Sequence, residues 1–154
     1  MPKLIILAAC ERVLIDRVSA LPSLINIFQR MNIQLQDAPL PENAVSPARW
    51  AIFALWRHSP EERNIEFTQR TEVIGPSGVK FAEMTTMFKI TETDDLQSKN
   101  YIELLGLPIY TEGFLKVRVW LEGIPDTEGE YQFLIKHVPK EKPEEKLISE
   151  EGKV

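Results

Sequence analysis

Short runs of β-branched and aromatic residues, separated by proline and glycine, divide most of the chain into segments of strand length. Almost no stretch keeps the apolar spacing that an amphipathic helix needs. The pattern therefore predicts an all-β fold, with candidate strands at residues 3–10 (extending towards 15), 24–35, 48–58, 65–74, 80–91, 100–109, 114–122 and 130–138. About eight strands suit a two-sheet antiparallel β-sandwich of immunoglobulin-like or related Greek-key topology.

Alternation of apolar and polar residues indicates which face of a strand is buried, and it is clearest in residues 114–122. The apolar set there is Leu115, Val117, Val119 and Leu121, and the set on the solvated face is Lys116, Arg118, Trp120 and Glu122. Between Trp50 and Trp56 both faces are apolar, and residues 4–10 have the same character. We expect these two segments to be covered on both faces and to dominate the core.

The residues between the strands predict how neighbouring strands connect. The sequence GPSG at 75–78 supplies the positive-φ positions and the fixed proline angle of a tight turn, so we pair its flanking strands as a hairpin. Breaks at 110–113 and 124–129 predict that the last three strands form a meander. Residues 59–63 predict a short helical turn, and three prolines make 37–47 an extended loop.

Length and composition favour one globular domain. The chain has 154 residues, enough for one substantial core, and its 44% hydrophobic and 27% charged residues argue against general disorder. We assign the sandwich to residues 1–138. Residues 139–154 are almost entirely lysine, glutamate and proline, which predicts a disordered, charged C-terminal tail.

Charge and cysteine content restrict the partners. The net charge is −5 with both signs interspersed, so no basic patch for nucleic acid is expected. The longest apolar run, 4–10, is too short to span a membrane or to act as a secretory signal. We therefore predict a soluble, cytoplasmic protein that binds neither nucleic acid nor membrane. The lone Cys10 agrees with a reducing compartment, and we expect it to be a small buried hydrophobe.

The candidate binding site is the solvated face of residues 114–122, formed by Lys116, Arg118 and Trp120. A tryptophan on a wet face is costly to leave bare and is favoured at contact surfaces. The alternative is that a loop, the tail or the aliphatic part of Arg118 covers the indole within one molecule.

Other polar residues suggest no catalytic or metal-binding constellation. Glu11, Arg12, Asp16 and Arg17 end the first strand, where they could hold a ligand or form a solvated rim. The two histidines, His58 and His137, belong to no spaced ligand set. The chain carries no phosphate-binding loop and no nucleophile elbow. We therefore predict no catalytic residues, metal or cofactor, although distant loops can bring catalytic groups together.

The first segments, LIILAACERVLID and LINIFQRMNI, resemble the opening hairpin of a family of small bacterial proteins of unknown function. The later segments YIELLGLPIYTEGFLKVRVWLEG and GEYQFLIKHVP resemble the final strands of that family. The resemblance extends to about residue 139 and implies a β-sandwich. It carries over no functional residue.

Three hypotheses for function follow. The first is a non-enzymatic binding or accessory module that contacts another protein, or its own copy, through a sheet face or edge. The second is a small-molecule or carbohydrate-binding sandwich in which Trp50, Trp56 or Trp120 offers an aromatic platform. The third is an enzyme, which a pocket containing Glu11, Asp16 or a histidine with a strongly perturbed pKa would support. Fold alone does not decide among these hypotheses.

Overall fold

The computed structural model describes residues 1–140, and most of these residues lie in strands. The strands are β1 (Lys3–Ile15), β2 (Pro22–Ile27), β3 (Arg30–Gln34), β4 (Val45–Arg57), β5 (Glu66–Ile74), β6 (Lys80–Lys89), β7 (Gln97–Pro108), β8 (Gly113–Leu121) and β9 (Gly129–Val138). A 3₁₀ turn at Pro60–Glu62 occupies the place of the predicted helical turn. The predicted tail lies outside the described residues from position 141 onwards.

The nine strands form two sheets. One has four strands in the order β2-β1-β4-β7, and the other has five in the order β3-β9-β8-β5-β6. Pairing is antiparallel throughout except between β3 and β9, which run parallel. The all-β, two-sheet prediction is confirmed, with nine strands in place of about eight and one parallel pair.

The predicted strand at 24–35 is wrong, because the structure divides it between the two sheets. Phe28 donates its N–H to the Ala9 carbonyl at 2.8 Å, and Gln29 accepts from the Leu134 N–H at 3.0 Å. The chain thus leaves the four-stranded sheet at Phe28 and enters the five-stranded sheet one residue later. The buried Phe28 ring packs between Trp50 and Phe133, at centroid distances of 6.4 and 5.3 Å.

The predicted hairpin and meander have different outcomes. β5 and β6 pair antiparallel across the turn at 75–78, as the sequence predicted. The meander of the last three strands is wrong, because β7 pairs with β4 in the four-stranded sheet and only β8 and β9 form a hairpin. The break at 110–113 is therefore a crossing between sheets, and turn residues alone do not distinguish a crossing from a reversal.

The core lies between the sheets and is built around two tryptophans of β4. Trp50 and Trp56 are buried with their indole N–H groups satisfied at 2.7 Å by the Gly106 carbonyl and the Gln69 Oε1 atom. Gly106 has φ +104°, and a Cβ there would lie 2.8 Å from Val45 Cγ1, so a side chain at this position would strain the backbone and displace Val45. The apolar face of β8 is buried as predicted, at Leu115, Val117, Val119 and Leu121.

The outer face of the four-stranded sheet is also covered, although only in part. Ala51 and Phe53 point away from the inter-sheet core and are buried with Cys10, Val13 and Leu55. The end of the β1–β2 hairpin folds over this face, and Lys99 Nζ of β7 donates to the Ala20 carbonyl in its turn at 2.7 Å. This confirms that β4 is covered on both faces. Residues 4–10 meet the same expectation only in part, because Ile5 and Ile6 are exposed.

Candidate functional site

The predicted site residues lie on β8, the middle strand of the five-stranded sheet. Lys116, Arg118 and Trp120 alternate with the buried apolar residues of β8 and point outward, as predicted. All three are half-buried rather than fully exposed. The structure thus places the three together on one face, with neighbours that engage two of them.

Ion pairs satisfy most of the charge on this outer face. The Arg118 guanidinium binds Glu128 and lies 3.9 Å from Glu72, while Lys80 Nζ contacts Glu72 at 2.7 Å and Glu83 at 3.0 Å. Hydrogen bonding to Glu128 raises the pKa of Arg118, and hydrogen bonds to Glu72 and Glu83 raise the pKa of Lys80. Ion pairs within the chain therefore neutralise much of the charge on this face. Because Arg118 already binds Glu128, it has little free hydrogen-bonding capacity for a ligand.

Trp120 sits beside a turn that borders the same surface groove. The groove measures about 410 Å³ and is lined by Trp120, Glu72, Arg118 and the turn at residues 124–128. Trp120 is half-buried and lines this groove together with the turn. The other two tryptophans are fully enclosed in the core, so the idea that Trp50 or Trp56 forms an aromatic platform is wrong.

The four charged residues at the end of β1 do not form one cluster. Asp16 is a turn residue whose Oδ1 accepts from the Val18 and Ser19 N–H groups at 2.9 and 2.6 Å, and these bonds lower its pKa. Glu11 and Arg12 instead line surface grooves next to the hairpin. The proposed ligand-holding set of Glu11, Arg12, Asp16 and Arg17 is thus divided.

Two adjoining grooves, here named the arginine grooves, flank the hairpin. The first measures about 490 Å³, lies on the outer side of the four-stranded sheet, and is lined chiefly by Glu11, Arg12, Arg49, Ala51, Glu103 and Leu105. The second also measures about 490 Å³, lies where the chain crosses between sheets, and is lined chiefly by Glu11, Asn26, Ile27, Arg30, Met31 and Arg49. Glu11 and Arg49 line both grooves, which therefore adjoin each other.

Several exposed apolar side chains lie together on the β1–β2 hairpin end, which sequence reasoning missed. We name residues 11–27 the arm. Its exposed aliphatic side chains are Leu14, Ile15, Val18, Leu21, Ile25 and Ile27. Val18 at the tip is 97% exposed and Leu21 is 62% exposed. The signal in the sequence is the run 18–29, which contains no charged residue although it includes a surface turn.

A buried polar cluster joins His58 to residues of two other segments. His58 Nε2 lies 2.9 Å from Ser98 Oγ, and His58 Nδ1 lies 3.6 Å from Glu62 Oε2. Burial lowers the pKa of His58, so the ring is neutral near pH 7. The order of side chains resembles that of a serine nucleophile, a base and an orienting carboxylate. However, none of the three lines any groove described above.

Comparisons with known proteins add no assignment. The chain matches no protein-family model and no curated protein. Among residues 1–140, no helix is long and apolar enough to cross a membrane. In the same range, no group of three or more histidine, cysteine, aspartate or glutamate residues is placed to hold a metal ion. The case for function therefore rests on the arm, the arginine grooves and the β8 face.

Proposed function

We propose that this chain is a non-enzymatic protein-binding module that contacts its partner through the arm. The observation that carries the proposal is the concentration of exposed aliphatic side chains on one hairpin end, with Val18 and Leu21 at its tip. Large apolar groups that stay in contact with water in a folded chain are typical of surfaces that a partner covers. The remaining apolar exposures are more scattered.

The edge of the sheet at the arm supports the same proposal. β2 pairs only with β1, so its other edge carries backbone N–H and C=O groups with no strand partner among residues 1–140. The other edge strands carry charged residues, at Arg30 in β3, Lys80, Glu83 and Lys89 in β6, and Lys99 and Glu103 in β7. Charged side chains discourage unintended pairing at an edge, and β2 has none.

The fixed shape of the arm also suits a recognition element. Asp16 holds the turn through three hydrogen bonds, from the N–H groups of Val18 and Ser19 and from the Ser19 hydroxyl. Lys99 ties the turn to β7. A loop that is already ordered loses less conformational entropy when it binds. The tip is therefore presented in a defined geometry and not as a free loop.

A small-molecule or carbohydrate ligand is the second candidate. The groove beside Trp120 offers a half-buried indole next to Arg118 and Glu128, and its volume falls in the range of ligand sites. An enzyme ranks third. The His58–Ser98 contact favours it, but a substrate needs a cavity beside the reacting groups and donors for a developing oxyanion.

Family, topology and compartment are also proposals. The resemblance to small bacterial β-sandwich proteins supports membership in such a family. The repeated crossings between sheets support an immunoglobulin-like or related Greek-key topology. A buried, unpaired Cys10 supports a cytoplasmic location, because a reducing compartment preserves free thiols.

The test is an affinity capture from the native host with four folded baits: wild type, Val18→Asp, Val79→Asp and Trp120→Ala. Val18→Asp should release the partner, because a carboxylate at the arm tip is desolvated in an apolar interface. Val79→Asp is the matched control, since Val79 is 68% exposed in the turn between β5 and β6.

Each outcome has one interpretation. A partner lost with Val18→Asp and kept with Val79→Asp supports the arm as the binding surface. Loss with Trp120→Ala alone would move the contact to the β8 face. Capture that is unchanged by every variant, or no partner with any bait, contradicts the proposal.

A further inference from the structure

Three arginines line the arginine grooves without an ion-pair partner among residues 1–140. The ion pairs in this range join other groups, so no carboxylate oxygen of residues 1–140 lies within 4.0 Å of the side-chain nitrogens of Arg12, Arg30 or Arg49. The grooves hold these three arginines against two glutamates, Glu11 and Glu103. They therefore carry a net positive charge in a protein whose net charge is −5.

The Glu11 carboxylate forms no ion pair with an arginine of residues 1–140. It accepts a hydrogen bond from Asn26 Nδ2 at 2.6 Å, a contact within the arm that leaves its charge in place. The last β1–β4 pair is Cys10 with Ala51, so Arg12 and Arg49 lie just beyond the end of the same ladder, and both line the first groove. An anion bound between two guanidinium groups offsets their mutual repulsion.

On the β8 face, arginines form ion pairs with glutamates of the same chain. Arg118 binds Glu128, and Arg70 binds Glu83 at 2.5 Å. The arginines of the arginine grooves have no such ion pair among residues 1–140. Guanidinium groups match carboxylates in a planar, two-point geometry, so unpaired arginines in a groove favour carboxylate ligands.

Apolar side chains lie along the same grooves. Leu105 of β7 is 70% exposed at one side of the first groove, and the exposed Ile27 of the arm lines the second. Glu103 lies on the β7 side of the first groove, where it repels the acidic groups of a ligand. The β1–β4 side of that groove and Arg30 are the places where such acidic groups fit. A ligand that fits both grooves is elongated, and it alternates carboxylates with apolar groups.

We infer that the two arginine grooves bind an extended, acidic segment of a partner protein, with its carboxylates on Arg12, Arg30 and Arg49 and its apolar side chains on Ile27 and Leu105. The inference rests on the proposed function and specifies the chemistry of the partner. The arm and the grooves then form one continuous surface, because Glu11 and Ile27 belong to both.

The experiment measures fluorescence anisotropy of a labelled synthetic peptide of alternating glutamate and valine, titrated with the full chain. We expect binding that Arg49→Glu weakens about tenfold or more, since the change adds repulsion where it removes attraction. Salt near 1 M should abolish most of the binding, because the Debye length falls to about 3 Å. A lysine–valine peptide should not bind.

The matched control is Arg57→Glu, the same change at an exposed arginine of β4 that lines neither groove. It should leave the affinity nearly unchanged, and circular dichroism should show both variants folded. Equal weakening by Arg57→Glu would show an effect of net charge alone and overturn the inference. Displacement of the peptide by citrate at equal concentration would indicate a small-anion site and also overturn it.

The outcome separates the inference from the proposed function. If the peptide fails to bind while Val18→Asp still releases the captured partner, the protein-binding proposal stands and the acidic partner is excluded. If the peptide binds with the expected dependence on Arg49 while Val18→Asp releases nothing, the grooves are the contact surface and the arm is not.

Discussion

His58 shows how a single buried side chain links the fold to pH. Its side chain is inaccessible to solvent, its Nε2 lies 2.9 Å from Ser98 Oγ, and its Nδ1 makes no hydrogen bond. Burial lowers the pKa of His58 below 6.5, although the nearby Glu62 carboxylate acts in the opposite direction. In the pH range between the two pKa values, the His58 ring is therefore mostly neutral in the folded protein and mostly protonated in the unfolded chain.

The free energy of unfolding should consequently fall as the pH falls below about 6.5. In this range the unfolded state binds more protons, so stability rises with pH until the unfolded histidine is neutral. His58→Gln should reduce the loss of stability between about pH 7.5 and about pH 5.5, measured by urea unfolding. It should also lower stability at the higher pH by disturbing the contact with Ser98.

A neutral core change away from His58 is the control for this pH effect. Phe133 is buried beside Trp50, and Phe133→Leu should lower stability without changing its pH dependence. An equal pH dependence in wild type and His58→Gln would show that other groups control acid sensitivity.

Residue-level predictions from the sequence succeeded where a local pattern determines burial. Alternation identified Leu115 and Val117 as core residues, and the apolar run identified Cys10 as a buried thiol. The His58–Ser98 contact joins residues 40 positions apart. No local pattern encodes such a contact, and likewise nothing in the sequence predicted that Arg12 and Arg49 share a groove.

At the scale of elements, turn chemistry predicted reversals but not crossings. The glycines and proline at 75–78 correctly predicted the β5–β6 hairpin. The break after β2 consists of Phe28 and Gln29, and it contains neither the glycine nor the proline that would signal a turn. The core decides this crossing, because burial of Phe28 against Trp50 and Phe133 requires the chain to pass between sheets.

The arm is an element held by one polar contact and a small apolar cluster. Lys99 Nζ reaches the Ala20 carbonyl, and Val13 and Leu24 pack near Phe53 and Leu55. Lys99→Met keeps the aliphatic stem but removes the donor. We expect faster amide hydrogen exchange at residues 16–21 and a loss of at most about 1 kcal/mol in global stability.

Lys116→Met provides the matched lysine change for the arm experiment, because Lys116 lies on the β8 face away from the arm. It should leave exchange at residues 16–21 as in the wild type. Unchanged exchange in Lys99→Met would show that the apolar cluster alone positions the arm, and its proposed preorganisation would then not depend on Lys99.

At the scale of the whole molecule, a buried polar network fixes how the two sheets face each other. Gln69 of β5 accepts from Trp56 Nε1 at 2.7 Å and from Asn100 Nδ2 at 3.0 Å, and it donates to Thr71 Oγ1 at 3.1 Å. Apolar contacts alone tolerate sliding between sheets, whereas these hydrogen bonds require one alignment. The same alignment positions β1, β3 and β4 around the arginine grooves.

Gln69→Leu should therefore destabilise the fold by about 2–5 kcal/mol, because it leaves the Trp56 indole N–H and the Asn100 amide buried without their acceptor. Gln132→Leu is the matched change on the outer face of β9 and should alter stability by less than about 0.5 kcal/mol. Urea unfolding measures both values. If Gln69→Leu proved as mild as Gln132→Leu, apolar packing would be sufficient to align the sheets, and the network would contribute little to the alignment. A large loss in Gln69→Leu alone would identify this network as the contact that aligns the two sheets, and with them the surface where we propose that the partner binds.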